Sequence, residues 1–71
     1  MGNLTVFINN HPQTFDDPPA SLSDLLTRLH LQEKKGIAVA INNSIILKPK
    51  WPEKFLSEGD RITIIQATQG G

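Results

Sequence analysis

Only one window of this chain reads as a helix. Leu22, Leu25, Leu26 and Leu29 recur at i, i+3, i+4 and i+7, which lines four leucines along one stripe of an α-helix. Ser21, with Asp24 three residues later, gives that helix a start that loosely fits a capping box, an acid replacing the usual Glu. Lys34 and Lys35 suit its C-terminal region and Gly36 can stop it. A lone amphipathic helix cannot bury its stripe against itself, so the rest of the chain has to supply the opposing surface.

The remaining apolar stretches read as strands. Leu4, Val6 and Ile8 alternate with Thr5 and Phe7, which marks a half-buried strand. Asn9-Asn10-His11-Pro12 is dense in turn formers, and Gln13 to Phe15 can return as the second arm of a hairpin. Asp16-Asp17-Pro18-Pro19 is a loop. After the helix, Ile37, Val39 and Ile41 alternate with Ala38 and Ala40, and Asn42-Asn43-Ser44 turns the chain into a short apolar run from Ile45 to Leu47. Pro49 and Pro52 bracket Trp51 in an irregular stretch. Glu58-Gly59-Asp60 forms a turn, and Arg61 to Gln66 is a last strand with Ile62 and Ile64 on one face.

The order is ββαβ, a short strand, then β. One helix across one side of a mixed sheet of four to five strands follows, with the first and last strands parallel neighbours. That is an α+β chain with the β-grasp, or ubiquitin-like, architecture. Its expected core holds Leu4, Val6, Ile8, Leu22, Leu25, Leu26, Leu29, Val39, Ile62 and Ile64, with Trp51 packed in the core or at its rim. Residues 1–66 form the domain, and residues 67–71 are left over as a tail.

Composition narrows what such a domain can do. Seventy-one residues allow a single modest core, and the absence of cysteine removes disulfides and thiolate metal sites. Seven basic and seven acidic side chains cancel, which argues against nucleic acid or an anionic membrane as the main partner. There is no 18-residue apolar run to span a membrane and no signal-peptide pattern at the start, so the chain is expected to be cytoplasmic.

No internal constellation looks catalytic. His11 falls in a turn and His30 at the helix end, neither with a partner at metal-ligand spacing, so no metal site is expected. Asp16 and Asp17 read as a solvated turn. No serine stands in a Gly-x-Ser-x-Gly setting, and no glycine-rich loop is present to cradle phosphate. The sequence ends on Gly70-Gly71, whose unhindered terminal carboxylate sits on a segment slender enough to thread a narrow cleft. From Ala67 to Gly71 an extended chain spans roughly 17 Å. The terminal carboxylate is thus the candidate reactive group, and since a free carboxylate is a poor electrophile, another protein has to activate it.

Several features together resemble the ThiS family of sulfur carriers of thiamine thiazole biosynthesis. They are the order of elements, the Ile41-Asn42-x-x-Ile45 turn, Trp51 six residues later, Glu58-Gly59-Asp60 before the last strand, and terminal Gly70-Gly71. The resemblance implies a protein co-substrate rather than an enzyme, with no cofactor bound and ATP consumed by the activating partner. Gly71 would be adenylated by an adenylyltransferase of the ThiF type, receive sulfur from a donor system as a thiocarboxylate, and deliver it to a thiazole synthase of the ThiG type. Gly70 would be the slender residue that lets the terminus reach those centres. A molybdopterin-type sulfur carrier and a ubiquitin-like protein modifier share the fold and tail and stand as alternatives. Phe7 and Ile65, out of phase with the core residues, are expected on the sheet face opposite the helix. There they either dock partners or are covered by the Pro49 to Phe55 segment.

Overall fold

The computed structural model describes residues 2–31 and 35–66. A five-stranded sheet has the order β2-β1-β5-β3-β4, with β1 at Leu4–Ile8, β2 at His11–Phe15, β3 at Ile37–Ile41, β4 at Ser44–Ile46 and β5 at Arg61–Gln66. One helix, α1 at Leu22–Arg28, packs on one face. β1 runs parallel to β5, and the β1–β2, β3–β4 and β3–β5 pairs are antiparallel. This is the β-grasp fold.

Two Asn-Asn pairs make the hairpins. Asn9 and Asn10 lie at φ 51° and 70°, and Asn42 and Asn43 at φ 52° and 72°. Positive φ at both central residues is the type I′ turn, whose twist matches that of the flanking strands, and asparagine tolerates it better than other residues with a Cβ. The first turn is tighter than the sequence suggested. It closes at Asn10, so His11 and Pro12 belong to β2, opposite Ile8 and Phe7. Pro12 is accommodated because β2 is an edge strand. β4 is likewise shifted one residue toward the turn, Ser44–Ile46 in place of Ile45 to Leu47.

The helix starts as the sequence implied and ends sooner. Ser21 caps it, its hydroxyl accepting from the Asp24 N–H at 3.2 Å. The reciprocal arm goes elsewhere: Asp24 Oδ2 accepts from the Ala20 N–H at 2.9 Å, one residue ahead of the cap. α1 closes at Arg28, well before Lys35 and Gly36, while Lys34 lies outside the described residues. His30 takes φ 62°, its N–H donating to Thr27 O at 3.0 Å while the Leu31 N–H donates to Leu26 O at 2.8 Å. That pair of bonds is a Schellman closure with histidine where glycine is usual, and it turns Leu31 back against the core. Gly36, at φ 74°, serves the turn that enters β3 instead.

The core lies between α1 and one face of the sheet. Leu4, Val6, Leu22, Leu25, Leu26, Val39, Ile41, Trp51 and Ile62 are buried, while Ile8, Leu29 and Ile64 are partly buried and pack against them. Ile41 and Trp51 complete the set expected from periodicity. Trp51 stands in a 3₁₀ segment, Lys48–Glu53, and its indole N–H donates to Ile46 O at 2.9 Å. Lys54, which caps that segment, ties it to the helix, since the Leu22 N–H donates to Lys54 O at 2.8 Å. Lys48–Glu53 therefore seals the helix side, and among the described residues nothing covers the other face of the sheet.

Candidate functional site

Gly70 and Gly71, together with the rest of 67–71, lie outside the described residues. What the structure describes is the strand that leads to them and the surface around it. β5 is the central strand, flanked by β1 and β3. Its alternation puts Ile62 and Ile64 on the core side and Arg61, Thr63 and Ile65 on the open side. Along β1, Thr5 and Phe7 face the same open side, out of phase with Leu4, Val6 and Ile8.

Phe7 and Ile65 accordingly occupy the open face, 36% and 60% exposed. The 3₁₀ segment that could have covered them is on the helix side. They do not meet each other: Phe7 is level with Arg61, and Ile65 lies four residues further along β5, roughly 13 Å away. The Arg61 guanidinium carbon stands 5.8 Å from the Phe7 ring centroid, a cation–π geometry that partly shields the ring. Ile65 is level with Ala38 on β3, and Ala40 is level with Ile45 on β4, which is 72% exposed. The open face is thus an apolar strip of Ile65, Ala38, Ala40 and Ile45 across three strands, with Arg61 beside Phe7 at its other end. Ala38, Ala40 and Ile45, like Ile65, are out of phase with the core residues of their own strands, the signal by which they could have been found; that β3 and β4 lie alongside Ile65 comes from the fold.

Elsewhere the polar residues do not converge on a site among the described residues. His11 lies on edge strand β2, and His30 closes the helix. Asp17 is tied to α1, its carbonyl accepting from Arg28 Nη1 and its carboxylate 3.8 Å from Arg28 Nη2. Asp60, a buried carboxylate, accepts from Asn42 Nδ2 at 3.0 Å and from the Ser57 N–H at 2.8 Å. Among the described residues no three His, Cys, Asp or Glu side chains cluster to hold a metal ion. No helix among them is long and apolar enough to cross a membrane.

Side chains also extend the backbone ladder of β5 at both ends. At the entry, Glu58 Oε1 accepts from the Thr5 N–H at 3.0 Å, and the Gly59 N–H donates to Thr5 O at 2.8 Å. On the β3 side, Asn42 Oδ1 accepts from the Arg61 N–H at 3.0 Å. Toward residue 67, the Asn9 carboxamide bonds both backbone groups of Ile64, accepting from its N–H at 2.8 Å and donating to its carbonyl at 3.2 Å. The strand that leads to residues 67–71 is therefore anchored at both ends.

Comparison with known proteins fits this geometry. A family model described as the ThiS family matches residues 6–71. The sulfur carrier protein ThiS of Escherichia coli is 33% identical over 51 residues, which is 72% of this chain and 76% of that protein. The crystal structure of a thiamine biosynthesis protein, ThiS from Geobacter metallireducens, superposes with a TM-score of 0.81, covering 96% of this chain and all of the other at 19% identity. At that identity the structural likeness speaks for the fold.

Proposed function

The chain belongs to the ThiS family, and from that premise we propose that it is a sulfur carrier whose working group is the carboxylate of Gly71. An ATP-dependent adenylyltransferase of the ThiF type activates it: a carboxylate oxygen attacks the α-phosphorus of ATP, pyrophosphate leaves, and an acyl-adenylate remains. Sulfur at the sulfide level, delivered by a donor system, attacks the acyl carbon. The C–O bond to AMP breaks and a glycyl thiocarboxylate results. A thiazole synthase of the ThiG type then takes the sulfur for the thiazole of thiamine. On this proposal the carrier itself is a co-substrate that binds no cofactor, ATP being consumed by the activating partner, and it works in the cytoplasm.

The family match carries this reading, because it runs on through Gly70 and Gly71. The described structure supports it by what its residues do. The core and the ladder bonds on β5 hold a rigid strand that points the chain toward residues 67–71. Gly70 keeps the approach to Gly71 free of any Cβ. The open face offers Ile65, Ala38, Ala40 and Ile45 as an apolar contact for the activating and accepting enzymes, with Phe7 and Arg61 at its edge.

ATP–pyrophosphate exchange with the cognate adenylyltransferase tests the reading. Deleting Gly71 leaves the tail one residue short, about 3.5 Å from where the acyl carbon must sit, and exchange should be lost. Adding one residue after Gly71 turns the reactive carboxyl into a peptide carbonyl and should abolish exchange as well. Both variants should melt as the parent does. Normal exchange by the truncated chain rules the proposal out.

A further inference from the structure

We infer that Asn9 is a positioning residue for the terminus: its side-chain amide acts as the strand residue that β1 no longer supplies and fixes β5 at Ile64, two residues before the strand ends. The inference rests on the preceding reading that the terminal carboxylate is the group acted upon.

The odd residues from Thr5 to Asn9 bond to the segment from Gly59 to Ile62 in regular succession. Gly59 N–H meets Thr5 O, Phe7 N–H meets Asp60 O at 2.9 Å, and Asn9 N–H meets Ile62 O at 2.8 Å. There β1 is finished, because the chain turns away through Asn10 at φ 70°. The next rung on that flank belongs to Ile64, and no β1 backbone is left to make it. A carboxamide carries the same donor and acceptor as a peptide group. The Asn9 side chain presents both to Ile64, Oδ1 to its N–H and Nδ2 to its carbonyl, and so extends the ladder by one rung without any further backbone.

Position 9 thus answers two demands together. Its φ of 51° is served by glycine, asparagine or aspartate, but only asparagine also offers the donor–acceptor pair. Asn42 opens the other type I′ turn and provides an internal comparison. Its carboxamide holds Arg61 and Asp60, at the start of β5 and on the opposite flank. The two turns grip the central strand at opposite ends, and the Asn9 grip is the one next to the tail. The five residues after Gln66 reach at most roughly 17 Å, so any displacement of their root is taken directly from that reach. Misplacement of a reacting atom by about 1 Å can cost up to a hundredfold in rate.

The test uses the full chain with its adenylating partner and three variants. Asn9→Gly keeps the turn and removes the rung; Asn9→Asp keeps the acceptor for the Ile64 N–H and removes the donor; Asn42→Gly removes the grip at the far end. Asn9→Gly should lower kcat for ATP–pyrophosphate exchange about five- to tenfold, with the KM for the carrier changed less than about twofold. Amide hydrogen exchange at Ile64 should accelerate in the same variant. Asn9→Asp should fall between it and the parent, and decides the matter if the glycine variant does not fold. Both glycine variants should lower the melting temperature to a similar extent, but Asn42→Gly should leave kcat as it was. Parental kcat in Asn9→Gly, or equal losses in the two glycine variants, overturns the inference. If deletion of Gly71 abolishes exchange while Asn9→Gly runs at full rate, only the role of Asn9 fails. If the Gly71 deletion still exchanges, the underlying reading fails with it.

Discussion

The two faces of this sheet are built from the same strands and have opposite fates. On β5, Ile62 is 1% exposed and Ile65, three residues on, is 60% exposed. Both are isoleucine, both sit in a central strand, and the difference is one of parity. The helix side has been closed by α1, by the 3₁₀ segment and by Trp51, whereas nothing described covers the other side. In a domain this small a single helix suffices to seal one face, so apolar residues on the second face are not there for the core. On the function proposed above, they are the surface a partner would meet.

The largest effect that sharpens this contrast lies in the sealed face. Leu26→Ala removes a fully buried side chain of the helix stripe and should cost about 2–5 kcal/mol, and Ile62→Ala should fall in the same range. That is a large part of the stability of a domain of this size. Chemical denaturation of both variants beside Ile65→Ala checks it, since Ile65→Ala should cost no more than about 1 kcal/mol. Equal losses at Ile62 and Ile65 would break the comparison of the faces. Trp51→Phe comes next. It keeps most of the apolar volume and loses the indole N–H bond to Ile46 O, so a loss of about 1–3 kcal/mol is expected from the same denaturation curves.

Parity was legible in the sequence because it needs only neighbours. β1, β3 and β5 fall where the alternation puts them, and the leucine stripe marks the buried side of α1. The end of the helix was not legible in the same way. Lys34, Lys35 and Gly36 carry the ordinary composition of a helix terminus, yet the stripe itself finishes at Leu29 and the chain closes there with His30 at positive φ. Histidine gives only a weak signal for that conformation. The reach of the two asparagines was hidden for another reason. Asn9 bonds Ile64 and Asn42 bonds Arg61, pairings 55 and 19 residues apart; the element order put β1 beside β5, but the register that brings these side chains to those rungs is not in any local pattern. As for the candidate site, the exposed positions of Phe7 and Ile65 follow from parity, but the strip from Ile65 to Ile45 appears only once β3 and β4 are laid beside β5.

The smallest change in stability should come with a large change in association, and it bears most directly on why the open face is apolar. Ile65→Lys replaces a side chain that is already mostly in water, so its folding cost should stay at or below about 1 kcal/mol, the span of strand propensities. The helix-side core is untouched, because residue 65 points away from it. In a complex that buries the strip, however, the new ammonium would be placed against apolar surface beside Ala38, and its charge would have to be desolvated without a carboxylate to meet it. Affinity for the adenylating partner, read by titration calorimetry, should fall at least about tenfold, which is roughly 1.4 kcal/mol. Phe7→Lys at the edge of the strip should weaken binding less, since Arg61 already stacks near that ring and the site is charged to begin with. A graded pair of losses, larger at position 65 than at 7 and neither accompanied by a matching fall in melting temperature, locates the contact on the strip itself. Parental affinity in both variants would mean that the open face is not where the partners bind, and the docking role would have to be sought in another part of the surface.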